Sequence, residues 1–510
     1  MSENITIQVY RYDPEKDTEG GLVQYSLLKL PGMRILGALK ALNDQGHNIS
    51  YRYNCEEWEC GSCAVYINGN KSVLACKTEV QDKMVIEPVP DMKVLKDLIV
   101  DREKENKKQA ELYNLPTTKI GSDLAYEVQN SMWQAITCME CGICLASCPV
   151  LHPAGGSYTY SGPEYMIQLF RTELDTRVEK HTLEISKKEG IWECTVCRHC
   201  VENCPQNIPI LDQILYLRNK IIDEKGELVP PEIRDLNERL FRTKNPYGKP
   251  KKRRSDWAEG LNVPDMQDGP QDILFFVGSE QCYNPRDQEI AKAMVDVFRS
   301  MKIGFGTLGT DEADAGESAL STGEQALFEE LSEINIKSIQ KSKFKAIVTA
   351  SPHDYHVVKN EYPKFGGNFN VLHYTEFIDE MIRSKKLKFA NKCDKSVVYH
   401  DPCFLGRYNQ IFDAPRNVLK AIPELNLVEM NKNRENAECC GGGGGGAFID
   451  IPAGERIPER RVAQALETGA QILAVACPFC LAMFEDAAKT LRCESKIEIK
   501  HIIELVRDAL

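Results

Sequence analysis

Residues 138–149 read CMECGICLASCP, and residues 194–205 read CTVCRHCVENCP. Both follow the spacing C-x2-C-x2-C-x3-C-P. In paired [4Fe–4S] centres of this spacing the fourth cysteine of each run ligates the other cluster. Cys138, Cys141, Cys144 and Cys204 are therefore assigned to one centre, and Cys194, Cys197, Cys200 and Cys148 to the second. Pro149 and Pro205 end the loops, because proline blocks helix continuation. Two matches of this length disfavour zinc knuckles. The shared pairing places two clusters close together, as a wire rather than a catalytic pocket.

Upstream, Cys55, Cys60, Cys63 and Cys76 form C-x4-C-x2-C with a distal fourth cysteine, the plant-type [2Fe–2S] pattern. Two bridged irons want soft, anionic, tetrahedral ligands. Gly61 and Ser62 let the loop wrap a cluster with its N–H groups inward, where such bonds tune potential. The flanking sequence reads as a small α+β unit. Ile5, Ile7 and Val9 alternate with polar residues, Tyr25 to Leu30 gives a second strand, and Ile35, Leu36, Leu39 and Leu42 recur at helical spacing. Ala64 to Ile67 and Ser72 to Ala75 flank the hairpin signal Asn68-Gly69, and Met84 to Pro88 is expected to complete the sheet.

The chain has 510 residues, 20 of them cysteine, and a net charge of −12. Acidity argues against a dedicated nucleic-acid binder. No apolar run of bilayer length is present, and residues 1–20 lack the apolar segment of a secretory signal, so a cytoplasmic location is expected. Clustered cysteines in such a chain favour metal binding over disulfides. Five units follow: 1–95 with the [2Fe–2S] pattern, a helix-prone 96–225 with both ferredoxin runs, a proline-rich connector at 226–271 with a solvated basic run, Lys249 to Arg254, and two related α/β lobes, 272–392 and 393–510.

The lobes are an internal repeat. Each opens with a strand, Ile273 to Val277 then Val397 to Tyr399. Each has a mid-motif ending in glycine, Asp314-Ala315-Gly316 then Cys439-Cys440-Gly441. Each has a strand entering a four-residue turn, Ser351 to Asp354 then Cys477 to Cys480, and each closes with His373 or His501 before a helix. The second copy holds Cys403, Cys439, Cys440, Cys477 and Cys480. The first has Ser279, Asp314, Ala315, Ser351 and Asp354 at the corresponding places, so no cluster is expected there. Gly441 to Gly446 let backbone approach the cysteines; no Lys-Ser/Thr follows, which disfavours a phosphate loop. Cys282, Cys393 and Cys493 read as ordinary thiols. No G-x-G-x-x-G follows a strand, so a two-electron organic cofactor is expected on a partner.

Arg11 to Pro14, Cys60 to Ala64 and Ile67 to Gly69 resemble the N-terminal domain of the succinate dehydrogenase/fumarate reductase iron–sulfur subunit. With all four cysteines in each ferredoxin run, the middle segment is closer to the ferredoxin-like subunit of heterodisulfide reductase. His400 to Cys403, Cys439 to Gly441 and Ala476 to Cys480 resemble the CCG domain found in the cysteine-rich subunit of heterodisulfide reductase. One family joins these halves, the iron–sulfur subunits of methanogen thiol:fumarate reductases, which the chain resembles over nearly its whole length. The resemblance implies a β-grasp [2Fe–2S] domain, an α-helical domain with two cubane [4Fe–4S] clusters, and a pseudo-twofold pair of α/β CCG lobes with one noncubane cluster on Cys403, Cys439, Cys440, Cys477 and Cys480. It further implies oxidation of coenzyme M and coenzyme B thiols at that cluster and electron flow to a flavoprotein partner, whose FAD reduces fumarate. The competing reading is an electron-transfer adaptor that links a flavin dehydrogenase (succinate, lactate, glycolate or glycerol-3-phosphate) to a quinone or other carrier.

Overall fold

The computed structural model describes residues 3–115, 125–152, 158–179, 181–452, 454 and 456–510. They fall into two compact units: one drawn from residues 1–152, 158–191 and 198–217, the other from 192–197 and 218–510.

In the first unit β1 (Glu3–Arg11) pairs antiparallel with β2 (Gly21–Lys29) along its whole length, and its alternating Ile5, Ile7 and Val9 face inward. The helix Ile35–Asp44 buries Ile35, Leu36, Ala38, Leu39 and Leu42, the single face that the helical repeat brings together, in the same core. Each such Leu or Ile contributes roughly 1.5–3 kcal/mol by burial. β3 (Ala64–Ile67) and β4 (Lys71–Leu74) form the expected hairpin, with Asn68 and Gly69 at φ 54° and 63°. β5 (Val85–Glu87) lies between β1 and β3 at the middle of the sheet, giving the order β2-β1-β5-β3-β4. A ribbon of β6 (Val94–Lys96) and β7 (Ile99–Val100) leads into helices at Glu103–Tyr113, Tyr126–Ile136, Pro163–Leu174 and Thr182–Lys188. Pro163–Leu174 is buried almost throughout, as the central helix of this segment must be.

The second unit contains two four-stranded parallel sheets. One orders β11 (Val371–His373), β10 (Ala346–Thr349), β8 (Ile273–Phe276) and β9 (Phe305–Gly306). The other orders β13 (Asn426–Val428), β12 (Ser396–Tyr399), β14 (Ile472–Val475) and β15 (Glu498–His501). In both, the first strand lies between the second and the third, so the winding reverses there. All four residues of β8, β10 and β14 are buried, as parallel strands covered by helices on both faces should be. The lobes share one core, in which Phe275, Phe298 and Phe377 join Val397, Val475 and Ile502.

Residues 226–271 correct the connector expectation. Pro231–Thr243 is a helix that buries Ile233, Leu236 and Leu240. Trp257 belongs to the shared core, and Arg254 of the basic run is 2% exposed and ion-paired to Glu312 at 2.6 Å. This segment has its own apolar face, which the prolines scattered along it obscured.

Candidate metal centres

In the first unit, the loop before β3 turns its amides onto sulfur. Glu57, Glu59 and Cys60 N–H groups donate to Cys55 Sγ at 3.4, 3.4 and 3.3 Å, and Cys76 N–H donates to Cys63 Sγ at 3.4 Å. Charge-stabilising amides around sulfur are what an anionic cluster needs. Burial pushes the Cys60 thiol up, but hydrogen bonds from Cys55 and Ser62 outweigh it and bring it to about 6; burial drives Cys63 up to about 12. Gly61 packs directly on the next group: a Cβ there would sit 2.6 Å from Cys141 Cβ. The first cysteine loop and the first ferredoxin run are therefore in contact.

Cys138, Cys141, Cys144 and Cys204 line one small cavity, walled by Ile167, Pro205 and Ile210. This is the exchanged set read from the two runs: three cysteines from one and the last from the other. Burial raises Cys138 to about 12 and Cys141 to about 11 and holds Cys144 well above the usual thiol range. Thiols in such a site ionise when a cation takes them as ligands, so the donor set fits an iron–sulfur cluster. Of the second exchanged set, Cys148 and Cys200 are buried in the first unit, and Cys194 and Cys197 in the second.

In the second unit the five cysteines of the C-terminal set come from strand ends and one loop. β12 runs into His400-Asp401-Pro402-Cys403, and β14 into Cys477, which caps the helix Pro478–Thr490 with proline at its first position. β12 and β14 are the adjacent strands at which winding reverses, the place where open α/β sheets bind ligands. Cys439 and Cys440 arrive on the loop before the glycines. All five are at most 7% exposed. Cys197 and Cys403 pull the Cys439 thiol down and Cys440 pushes it up, while Cys440 and Cys477 push Cys480 up, so these sulfurs sense one another. Among the described residues no three His, Cys, Asp or Glu side chains close around a single metal ion; the sulfurs run as a chain across the loops. Burial pushes Cys477 up, but Cys480 and His353 bring it down to about 5. Its neighbour Cys480 is driven well up by burial and by Cys440. Packed thiols thus share protons, since five thiolates need a metal's positive charge to coexist. Among the described residues, the buried donors without a protein partner include His400 Nε2 and Arg461 Nη2. An unmet donor costs about 1–3 kcal/mol, and cluster sulfur would satisfy it. These observations fit a cluster.

Arginines hold this site, and lone arginines gave no sequence signal. Arg416 grips Asp401 with two bonds, Nη1 to Oδ1 at 2.6 Å and Nη2 to Oδ2 at 2.9 Å, and also binds Glu429. Arg461 donates from Nε to His400 Nδ1 at 3.2 Å. Arg407 and Arg218 hold the carbonyls of Cys197 and Cys194. The glycine run serves two ends: Gly441 N–H donates to Cys439 Sγ at 3.3 Å, whereas Gly443 and Gly444 lie against the carbonyls of Thr195 and Cys194.

The corresponding crevice of the other lobe is filled differently. Glu312 accepts from Val277 N–H, Gly278 N–H and Arg254; Asp314 accepts from Gly316 N–H; and Ser351 caps through Asp354 N–H. Burial and mutual repulsion hold Glu280 and Asp354 well above the usual carboxyl range. His353 bonds Glu317 at 2.8 Å and reaches Cys477.

Three family models match: a 2Fe-2S iron-sulfur cluster binding domain at residues 6–107, a 4Fe-4S dicluster domain at 134–208, and a cysteine-rich domain at 273–358 and 397–485. The chain is 31% identical to a fumarate reductase (CoM/CoB) subunit of Methanothermobacter marburgensis, over 98% of either chain. It is 31% identical to a dihydromethanophenazine:CoB--CoM heterodisulfide reductase subunit of Methanosarcina barkeri, over 73% of this chain and 93% of that one. It is 32% identical to "EtfAB:quinone oxidoreductase" of Syntrophomonas wolfei, over 64% of this chain and 47% of that one. The chain thus spans about half the length of some of the curated relatives it matches. Among the described residues no helix is long and apolar enough to cross a membrane. The chain is multidomain, with [2Fe–2S], [4Fe–4S] and cysteine-rich iron–sulfur domains. It belongs to the family of iron–sulfur oxidoreductase subunits that includes this CoM/CoB fumarate reductase subunit.

Proposed function

We propose that this chain is the cytoplasmic iron–sulfur subunit of a thiol-linked fumarate reductase. Coenzyme M and coenzyme B thiols lose two protons and two electrons as their S–S bond forms at Cys403, Cys439, Cys440, Cys477 and Cys480. A flavoprotein partner carrying FAD delivers those electrons, with two protons, to fumarate. Cys55, Cys60, Cys63 and Cys76 hold a [2Fe–2S] cluster in a β-grasp domain. Cys138, Cys141, Cys144 and Cys204 hold one cubane [4Fe–4S] cluster. On the duplicated motif, Cys194, Cys197, Cys200 and Cys148 hold the second. The five C-terminal cysteines hold a noncubane cluster in one of two pseudo-twofold lobes. Bound, these clusters supply one-electron storage and transfer.

The observation that carries this reading is the continuity of sulfur within each unit. In the first, the Cys60–Cys63 loop abuts Cys141. In the second, Arg407, Gly443 and Gly444 hold the Cys194–Cys197 loop against the stretch that carries Cys439, beside a five-thiol set at the switch point of a parallel sheet. A terminal set that holds more sulfur than one tetrahedral ion takes, next to a relay cysteine, supports chemistry on a sulfur substrate.

The second reading, an adaptor to a quinone, is favoured by the match to EtfAB:quinone oxidoreductase. Anaerobic EPR separates the two. The protein is mixed with coenzyme M and coenzyme B thiols, and separately with a quinol. Reduction of the centres by the thiol pair alone supports the proposal. Reduction by quinol only overturns it in favour of the adaptor.

A further inference from the structure

One residue joins the Cys194–Cys197 loop to the C-terminal cysteine set. Arg407 is 2% exposed. Its Nε donates to Cys197 O at 2.6 Å, and its Nη1 donates to Ala437 O at 2.5 Å and Glu435 O at 3.2 Å, just before Cys439. The next residue repeats the clamp, Tyr408 Oη donating to Val196 O at 2.6 Å. Gly443 and Gly444, just after Cys439, lie against the carbonyls of Thr195 and Cys194, and Arg407 feels the charge of Cys197, Cys403 and Cys439 together. No carboxylate lies among the hydrogen-bond acceptors of its guanidinium. A buried cation that bonds carbonyls and feels chiefly the Cys197, Cys403 and Cys439 sulfurs finds its compensating charge in them once they are ligands.

We propose that Arg407 is a positioning residue for electron transfer between the centre that includes Cys197 and the C-terminal centre. It pins the two ligand loops together, and its fixed charge stabilises the reduced form of both. This inference rests on the cluster assignments proposed above. In the step, one electron leaves the C-terminal centre, which is oxidised, and arrives at the Cys197 centre, which is reduced; no bond changes and no proton moves. Guanidinium is chosen by chemistry: it does not deprotonate in a protein, so its charge survives burial. In a low-dielectric interior a nearby positive charge favours the state with the extra electron, and local charge is a main determinant of cluster potential.

The experiment uses the full chain, purified anaerobically, as wild type, Arg407→Met and Arg407→Lys. Iron and sulfide content are read first, and midpoint potentials of both centres follow by EPR-monitored titration. Iron-free wild type would sink the cluster assignments and, with them, the inference that rests on them. With iron present, Arg407→Met is expected to shift both midpoints negative while leaving the [2Fe–2S] midpoint in place. Arg407→Lys, which keeps the charge and loses the fork, is expected to hold both midpoints and slow electron exchange between the centres. Unchanged midpoints in Arg407→Met, or equal shifts in both variants, overturn the electrostatic role and leave the cluster assignments standing. If Arg407→Met fails to retain iron, the lysine variant decides alone: held midpoints with slowed exchange support the proposal, and displaced midpoints refute it.

Discussion

Arg416→Met should detach the Cys403 loop from the sheet. Asp401 and Arg416 are each 3% exposed at their side chains, and their two bonds of 2.6 and 2.9 Å close a planar fork. Asp401 Oδ2 also accepts from Arg434 N–H at 2.8 Å, so the carboxylate ties the Cys403 segment to the stretch leading to Cys439. Replacing both partners by apolar residues of similar shape would cost little. Removing one leaves a buried carboxylate without its counter-charge, a loss of about 3–5 kcal/mol. A domain of this size loses roughly 2–4 °C of melting temperature per kcal/mol, so the expected drop is about 6–20 °C. The assay is anaerobic thermal unfolding, with iron analysis and EPR on the same samples. The C-terminal signal should disappear while the signals of the Cys55–Cys76 and Cys138–Cys204 centres persist, because their ligands lie in the first unit, which has its own core. Arg416→Lys should restore part of the stability, since charge remains but the fork does not. A loss below about 1 kcal/mol with the C-terminal signal intact would refute the reasoning, because a pair worth so little cannot be what holds the loop.

Cys439→Ser removes a thiol whose ionisation both Cys403 and Cys197 perturb, and optical and EPR spectra should lose the C-terminal signature alone. Gly444→Ala drives a Cβ into Cys194 O, well inside contact distance, at a residue with φ +64°, so the loops must part. Stopped-flow reduction should show slower exchange there than in Gly454→Ala, whose Cβ meets open space at a positive φ as well. Burial depresses His373 to about 3 and holds His400 and His501 well below 6.5, with Arg461 and His373 adding to the latter two. The unfolded imidazoles take up protons below about pH 6.5 and the folded ones do not, so their contribution to stability is full above that pH and is lost on acidification. The three together give a slope of about 4 kcal/mol per pH unit below it. Glu280 and Asp354, whose carboxyls lie well above the usual range, act in the opposite sense over this window, so the histidine contribution is read by difference. The fall in denaturant midpoint from pH 7.5 to 5.5 should be smaller in His501→Gln than in wild type, and parallel profiles contradict the burial of a neutral ring.

What could be read from sequence was whatever chemistry imposes at fixed spacing. Cysteine runs name their cluster type because ligand geometry dictates the intervals, and the exchange of Cys204 into the Cys138 set follows from the same rule. The two lobes were visible because a strand, a turn residue and a helix recur in order, and both Gly316 and Gly441 take the positive φ that the repeated turn demands. Residues whose roles depend on distant partners were not visible. Arg407, Arg416 and Arg461 look like surface charges until folding brings carbonyls or carboxylates from well outside their local sequence. Arg254 sat in a basic run that composition assigned to solvent, yet Glu312 draws it inside. β5 was expected, but its place in the middle of the sheet depends on long-range pairing, which local pattern does not encode.

Metal analysis with EPR redox titration of the intact chain, isolated without oxygen, tests the proposed electron path most directly. Iron and acid-labile sulfide are expected, with four separable paramagnetic centres, one of which vanishes in Cys439→Ser. Colourless protein, or zinc in place of iron, would contradict the cluster assignments outright.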